Sequence, residues 1–293
     1  MQWQAITQHI SQASGKIFQL QSYASISGGC INTTYRLQGR DSDYFVKLNR
    51  ADRHEMFIAE AQGLTELAKA NAVCVPKPLC TGVDNDQAYL VMEFIELCGT
   101  GSAQSMRLLG EQLAQLHRYT KAQFGWQCNN TIGSTPQLNH WMSNWLPFWR
   151  EQRLGYQLRL AAENGIPKRI VKKGELVQNK LDALFIDYQP VASMLHGDLW
   201  GGNVACTAQG QPVIFDPAVY FGDRETDLAM TELFGGFTAE FYAAYRATWP
   251  LQEGYVVRKT LYNLYHVLNH FNLFGGGYAV QAEGMMDHLL AEV

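Results

Sequence analysis

The chain has 293 residues, 23 of them basic and 27 acidic, for a formal net charge of −4. That balance lacks the basic excess nucleic-acid binding draws on, and a composition 47% hydrophobic and only 17% charged excludes a disordered chain. The first residues carry neither the positive nor the apolar region of a signal peptide, the apolar stretch 261–282 is broken by polar residues and a glycine triplet, and six cysteines show no zinc spacing, so one large domain or two lobes in the cytoplasm, away from membranes, is the expectation.

In chain order, the β-branched and aromatic runs 16–20, 33–37 and 44–48, separated by Gly28-Gly29, Gly39 and Asp41-Ser42-Asp43, predict an antiparallel sheet. The period turns helical over 54–70, with Phe57, Ala61, Leu64 and Ala68 on one stripe, and the helix ends before Pro76. Strands over 79–83 and 88–94 follow, and a Gly-Ser segment at 99–102 marks a hinge near 93–102 that divides residues 1–98 from 99–293. The second part reads as helices over 103–119, 140–164, 169–186, 224–233, 238–248 and 254–274, interrupted by a small hairpin of 203–206 and 212–215. Trp141, Trp145 and Trp149 recur every four residues and suit one packed helix face. The class is therefore α+β.

The stretch His196-Gly197-Asp198-Leu199-Trp200-Gly201-Gly202-Asn203, followed by Phe215-Asp216-Pro217, carries the most chemical information. Phosphoryl transfer asks little covalent work of side chains: an acid aimed at the acceptor hydroxyl, oxygen ligands for Mg²⁺, and a cation on the nucleotide phosphates. Asp198, Asn203 and Asp216 fit the first two tasks by type and order, with the spacing protein kinases use, although H-R-D becomes H-G-D and D-F-G becomes Asp216-Pro217-Ala218. Each acid alone is an ordinary turn former; together with the Trp, the two glycines and the Asn they outweigh that reading.

An N-terminal half built for the same task needs a strand lysine and a helix glutamate. Lys47 lies in the third strand and Glu60 thirteen residues on, on the helix stripe that faces the sheet, where an unpaired carboxylate is costly. A solvent-facing lysine and a helix-rim glutamate are the alternative. Ser27-Gly28-Gly29-Cys30-Ile31-Asn32 lies where a phosphate loop belongs, but matches neither common glycine-rich fingerprint and also suits a plain hairpin turn. Asp223 and Glu225 open a helix, as caps or as partners of a substrate amine, and Trp200 forms either a sugar wall or core packing.

These residues resemble the fructosamine kinases, or ketosamine 3-kinases, among the aminoglycoside phosphotransferase-like kinases. The resemblance runs in order through Gly28-Gly29-Cys30-Ile31-Asn32, Phe45-Val46-Lys47, Glu60-Ala61-Gln62-Gly63-Leu64, Met92-Glu93-Phe94, the H-G-D-L-W segment and Gly222-Asp223-Arg224-Glu225. It implies a two-lobed protein-kinase-like fold and ATP-dependent phosphorylation of the sugar 3-hydroxyl of a ketosamine, a free or protein-bound amine glycated by fructose or ribulose, whose phosphorylated adduct then releases the amine. Carried over by position, it makes Asp198 the base, Asn203 and Asp216 the Mg²⁺ ligands and Lys47 the phosphate lysine held by Glu60. Glu93 and Phe94 then sit at the adenine hinge, Gly28, Gly29, Cys30 and Asn32 at the phosphates, and Asp227 braces the catalytic loop. Cys30 also recurs in some members, where a redox role has been considered; a small residue in a tight turn is the alternative.

Two rivals stay open. One is a kinase of another amine alcohol, of aminoglycoside or choline type; the other is a nucleotide- or redox-regulated binding protein with a kinase-like fold. Either a monomer or a homodimer is compatible with the sequence.

Overall fold

The computed structural model describes residues 3–26, 31–99 and 101–293. Its N-terminal part is a five-stranded antiparallel sheet in the order β1-β2-β3-β5-β4, built from β1 (Leu20–Ile26), β2 (Thr33–Gly39), β3 (Asp43–Arg50), β4 (Pro78–Asp84) and β5 (Gln87–Glu93). Alternation along β3 sorts its side chains between two faces. Val46 and Leu48 pack with Leu37 and Val91 under α1 (Trp3–Ser14), through Trp3, Ile6 and Ile10. The opposite face carries Leu90 and Met92, in one core with Phe57 and Leu64 of α2 (His54–Lys69). Lys47 is paired with Leu90 on one side and Thr34 on the other, so it sits in the middle of the sheet.

Two features of this part differ from expectation. Helix α1 carried no assignment, although its apolar positions are helically spaced. The first strand begins at Leu20 rather than Lys16, because Phe18 instead tucks its ring beside Gly39, where a Cβ would lie 2.3 Å from that ring. The connection after β5 is joined to the helical part by two backbone hydrogen bonds: Cys98 N–H donates to the carbonyl of Cys206 at 2.7 Å, and Cys206 N–H to that of Gly99 at 2.8 Å.

The rest is chiefly helical: α3 (Ala103–His117), the β6–β7 hairpin (Asn130–Ile132, Thr135–Gln137), α4 (Trp145–Phe148), a π-helical turn (Trp149–Leu154), α5 (Gly155–Glu163) and α6 (Lys168–Asn179). Then come β8 (Ser193–Leu195), β9 (Val204–Cys206), β10 (Pro212–Ile214) and β11 (Tyr220–Gly222), followed by α7 (Glu225–Leu233), α8 (Ala239–Thr248), α9 (Tyr255–Phe274) and α10 (Tyr278–Ala291). Strands β9 and β10 form the expected hairpin, while β8 pairs with β11. The helix expected from residue 140 starts at Trp145, and its middle widens into the π turn. Trp141 consequently leaves the face shared by Trp145 and Trp149, whose rings pack 5.4 Å apart in the core; its own ring is part-exposed beside Phe221. Gly275 and Gly276, at φ +67° and +64°, end α9 and turn the chain into α10, which the sequence reading left unassigned. Among the described residues no helix is long and apolar enough to cross a membrane.

Candidate active site

Between the sheet and the helical part lies a cavity of about 570 Å³. The sheet side contributes Asn32, Lys47 and Glu60; the helical side contributes Asp198, Trp200, Asn203 and Asp216. Residues far apart in sequence thus converge on one cleft.

Lys47 is 3% exposed and its ammonium meets Glu60 Oε1 at 2.5 Å and Asp216 Oδ1. Burial by itself lowers a lysine, but here the charges and hydrogen bonds of Asp216 and Glu60 outweigh it and hold Lys47 well above its ordinary range. The alternative of a solvent-facing lysine is therefore excluded. A fixed cation in the cleft is what anionic phosphates require.

The loop after β8 is shaped by close backbone contacts. Gly197 has φ +83°, and a Cβ there would lie 2.0 Å from the carbonyl oxygen of Ala218, so glycine alone fits between His196 and Asp198. His196 is buried; its Nε2–H donates to the Phe215 carbonyl at 2.9 Å, and its Nδ1 accepts from Asp198 N–H at 3.3 Å. Asp227 holds the same loop from below, accepting from His196 N–H at 2.7 Å and Gly197 N–H at 2.8 Å. Burial raises that carboxyl, yet hydrogen bonding from His117, electrostatic attraction to His117 and His196, and the Gly197 N–H bring it below the usual carboxylate range.

Asp198 is the acid this scaffold presents to the cleft. Burial, and then the charge of Asp216, push its pKa up to about 7 against the hydrogen bond from Asn203, whose Nδ2 lies 3.3 Å from Oδ2. A carboxylate poised near neutrality beside an acceptor hydroxyl is suited to general-base work. Asn203 Nδ2 also donates to the Asp198 carbonyl at 2.9 Å, leaving its Oδ1 toward no protein donor among the described residues. Asp216 sits at φ +57°, an uncommon conformation for a residue with a Cβ. One of its oxygens takes Lys47; the other has no protein donor among the described residues.

That donor set fits Mg²⁺. Hard oxygen ligands, two of them unspent, suit an ion that relies on one or two carboxylates plus substrate phosphates rather than a protein cage.

The remaining expected positions divide. Trp200 lines the cleft, 40% exposed, and lies over Gly202, where a Cβ would fall 2.2 Å from its ring; that glycine makes room for the indole. Asn32 lines the cleft and accepts from Asn49 Nδ2 at 2.7 Å, whereas Gly28, Gly29 and Cys30 lie outside the described residues. Glu93 accepts from Lys77 N–H at 2.9 Å and the Phe94 ring lies under Arg36, so their side chains are occupied within the sheet end and neither lines the cavity.

Asp223 and Glu225 require correction as substrate contacts. Both are fully buried behind the cleft. Asp223 accepts from the hydroxyls of Tyr188 at 2.7 Å and Tyr262 at 2.5 Å; Glu225 forms a two-pronged pair with Arg258 at 2.7 and 3.0 Å. They tie α7 to α9 and offer nothing to an amine in the cavity.

Sequence reasoning missed the β6–β7 hairpin. Asn130 Nδ2 and Gln137 Nε2 donate to the carbonyls of Val219 and Ala218 at 2.9 and 3.0 Å, holding the segment that follows Asp216. The Asn129-Asn130 and Gly133-Ser134 turn residues were its available signal. Also missed was the polar stripe of α9, where His266 and His270 reach the cleft; those residues had served only to argue against a membrane span.

Comparison with known proteins agrees with this geometry. Residues 2–292 match the fructosamine kinase family. A protein of Synechocystis named a probable ketoamine kinase is 50% identical over 98% of this chain and 97% of its own. The chloroplastic protein-ribulosamine 3-kinase of Arabidopsis thaliana is 41% identical over 94% of this chain and 85% of its own. A solved structure named for a fructosamine-3-kinase, from Haemophilus somnus, superposes with a TM-score of 0.90 at 28% identity, covering 98% and 97% of the two chains.

Proposed function

The chain belongs to the fructosamine kinase family, and from that membership together with the cleft geometry we propose that it transfers the γ-phosphoryl group of Mg-ATP to the sugar 3-hydroxyl of a ketosamine. The observation that carries the reading is the meeting of Lys47, Asp216, Asn203 and Asp198 in one cavity. Residues 1–98 then form the nucleotide-binding lobe and 99–293 the catalytic and substrate lobe.

In this reading Lys47, fixed by Glu60, binds the phosphates and orients them toward Asp198. Asp216 and Asn203 would hold Mg²⁺, which when bound would offset charge on the transferring phosphoryl group. Asp198 accepts the proton of the acceptor hydroxyl as that oxygen attacks phosphorus, and the bond to the leaving ADP oxygen breaks. Trp200 walls the sugar. Asp227 keeps the loop amides in place and touches no reactant. The phosphorylated adduct, with a leaving group now on carbon 3, decomposes and frees the amine, which makes the enzyme a deglycating one.

The test is ADP release by the purified protein with Mg-ATP and a panel of fructosyl-amine, ribulosyl-amine, choline and an aminoglycoside. Turnover confined to the ketosamines supports the reading, and preference for choline or the aminoglycoside removes it. The acids available to the cleft, Glu60, Asp198 and Asp216, all stand at the phosphate end, which disfavours a polycationic acceptor.

A further inference from the structure

Past Asp198 the cleft runs into the helical lobe, where α9 presents His266 and, one turn on, His270. Polar side chains buried in such a wall need hydrogen-bond partners. Asn130 and Asn269, on the same wall, have theirs: Asn130 donates to the Val219 carbonyl, and Asn269 accepts from Gln157 Nε2 at 3.2 Å while donating to the Ile132 carbonyl at 3.4 Å. His266 is different. It is 4% exposed, lines the cavity, and neither of its ring nitrogens has a hydrogen-bond partner among the described residues.

Its chemistry narrows what completes it. Burial, and then the neighbouring His270, push the imidazole down to about 3, so the ring is neutral and offers one N–H donor and one bare nitrogen acceptor. A neutral ring forms no ion pair with an ammonium group, whereas a hydroxyl both donates and accepts. His270 Nδ1–H donates to the His266 carbonyl at 2.8 Å, which fixes the second ring on the same wall. Trp200 and Phe234 supply apolar faces along the same stretch, as sugar C–H surfaces require.

We infer that this end of the cleft is the sugar subsite and that His266 is a specificity-determining residue, hydrogen-bonding a substrate hydroxyl other than the one phosphorylated. The inference rests on the ketosamine-kinase reading above. It accounts for a polyhydroxylated acceptor over a simple amine alcohol, which has no second hydroxyl and leaves His266 unpaired.

Two variants separate the chemistry from the fold. His266→Phe keeps a ring of similar size without polar edges, and His266→Gln keeps a donor and an acceptor. The readouts are kcat/KM for a ribulosyl-amine, KM for Mg-ATP, and kcat/KM for analogues in which each non-reacting hydroxyl is replaced by hydrogen. His266→Phe is expected to lower kcat/KM about 10- to 100-fold with KM for Mg-ATP unchanged, His266→Gln to recover part, and the loss to vanish on one deoxy analogue that the wild type already handles poorly. An equal loss on every analogue, or no loss, overturns the inference while leaving the kinase reading intact. A wild type inactive on all ketosamines overturns both.

Discussion

Lys47 of β3 and Asp216, which follows β10, are 169 positions apart in sequence and joined by an ion pair across the cleft. The pair links the two halves at the point where phosphates and metal are expected. Lys47→Met leaves Glu60 buried opposite an apolar chain, and breaking such a buried pair costs about 3–5 kcal/mol. Expected, therefore, are a lower melting temperature and a higher KM for ATP. Glu60→Gln, which keeps a hydrogen bond to the ammonium, is expected to retain most of the stability while losing turnover. Calorimetry and steady-state kinetics on both variants check this; a Lys47→Met enzyme with wild-type KM for ATP contradicts it.

Asp198→Asn preserves the shape of the catalytic loop and removes the base. Turnover is expected to fall by roughly 10²- to 10⁴-fold, with nucleotide affinity near that of the wild type. Titration calorimetry with a non-hydrolysable ATP analogue separates the two effects.

The pKa of Asp198 has two further consequences. As base it works ionised, so kcat/KM is expected to rise with pH through about 7 and level above it. For stability the sign is opposite. A carboxyl raised from 3.8 to about 7 on folding makes a contribution fully present below the unfolded value, and that contribution is lost as pH rises through the folded one. Asp198→Asn, which mimics the protonated form, is thus expected to melt above the wild type at pH 8, with the gap closing toward pH 4. A gap independent of pH contradicts the assignment.

Glu225→Ala strands the buried Arg258 guanidinium, and an unpaired buried charge costs about 3–5 kcal/mol. The expected phenotype is a large fall in melting temperature, with KM for the sugar substrate unchanged in the protein that remains folded. A rise in that KM without loss of stability would restore the substrate role read from sequence.

Gly202→Ala sets a Cβ against the Trp200 ring and displaces it from the cleft wall. KM for the ketosamine is expected to rise while KM for ATP stays put; steady-state kinetics with each substrate varied in turn is the check.

What the sequence made legible was local or strongly patterned. The stripe of α2, the strand pattern of β3 and the fixed spacing from His196 to Asn203 are short-range signals, and they pair Lys47 with Glu60 and Asp198 with Asn203. The burial of Asp223 and Glu225 was not legible, because a carboxylate at a helix start reads alike whether it faces water or the tyrosine and arginine side chains of α9. Helix α1 was overlooked since its stripe is short and mostly polar between Trp3, Ile6 and Ile10. The hairpin holding Ala218 and Val219 depends on contacts 81 and 89 positions away, beyond any local pattern.

The central claim is tested most directly by mass spectrometry and phosphorus NMR of ribulosyl-lysine and fructosyl-lysine incubated with the protein and Mg-ATP, alongside Asp198→Asn. The account predicts one added phosphoryl group on the sugar 3-oxygen, absent with the variant, followed by release of free lysine. A wild-type protein that binds ATP yet leaves both ketosamines unmodified, or phosphorylates them at another oxygen, contradicts it.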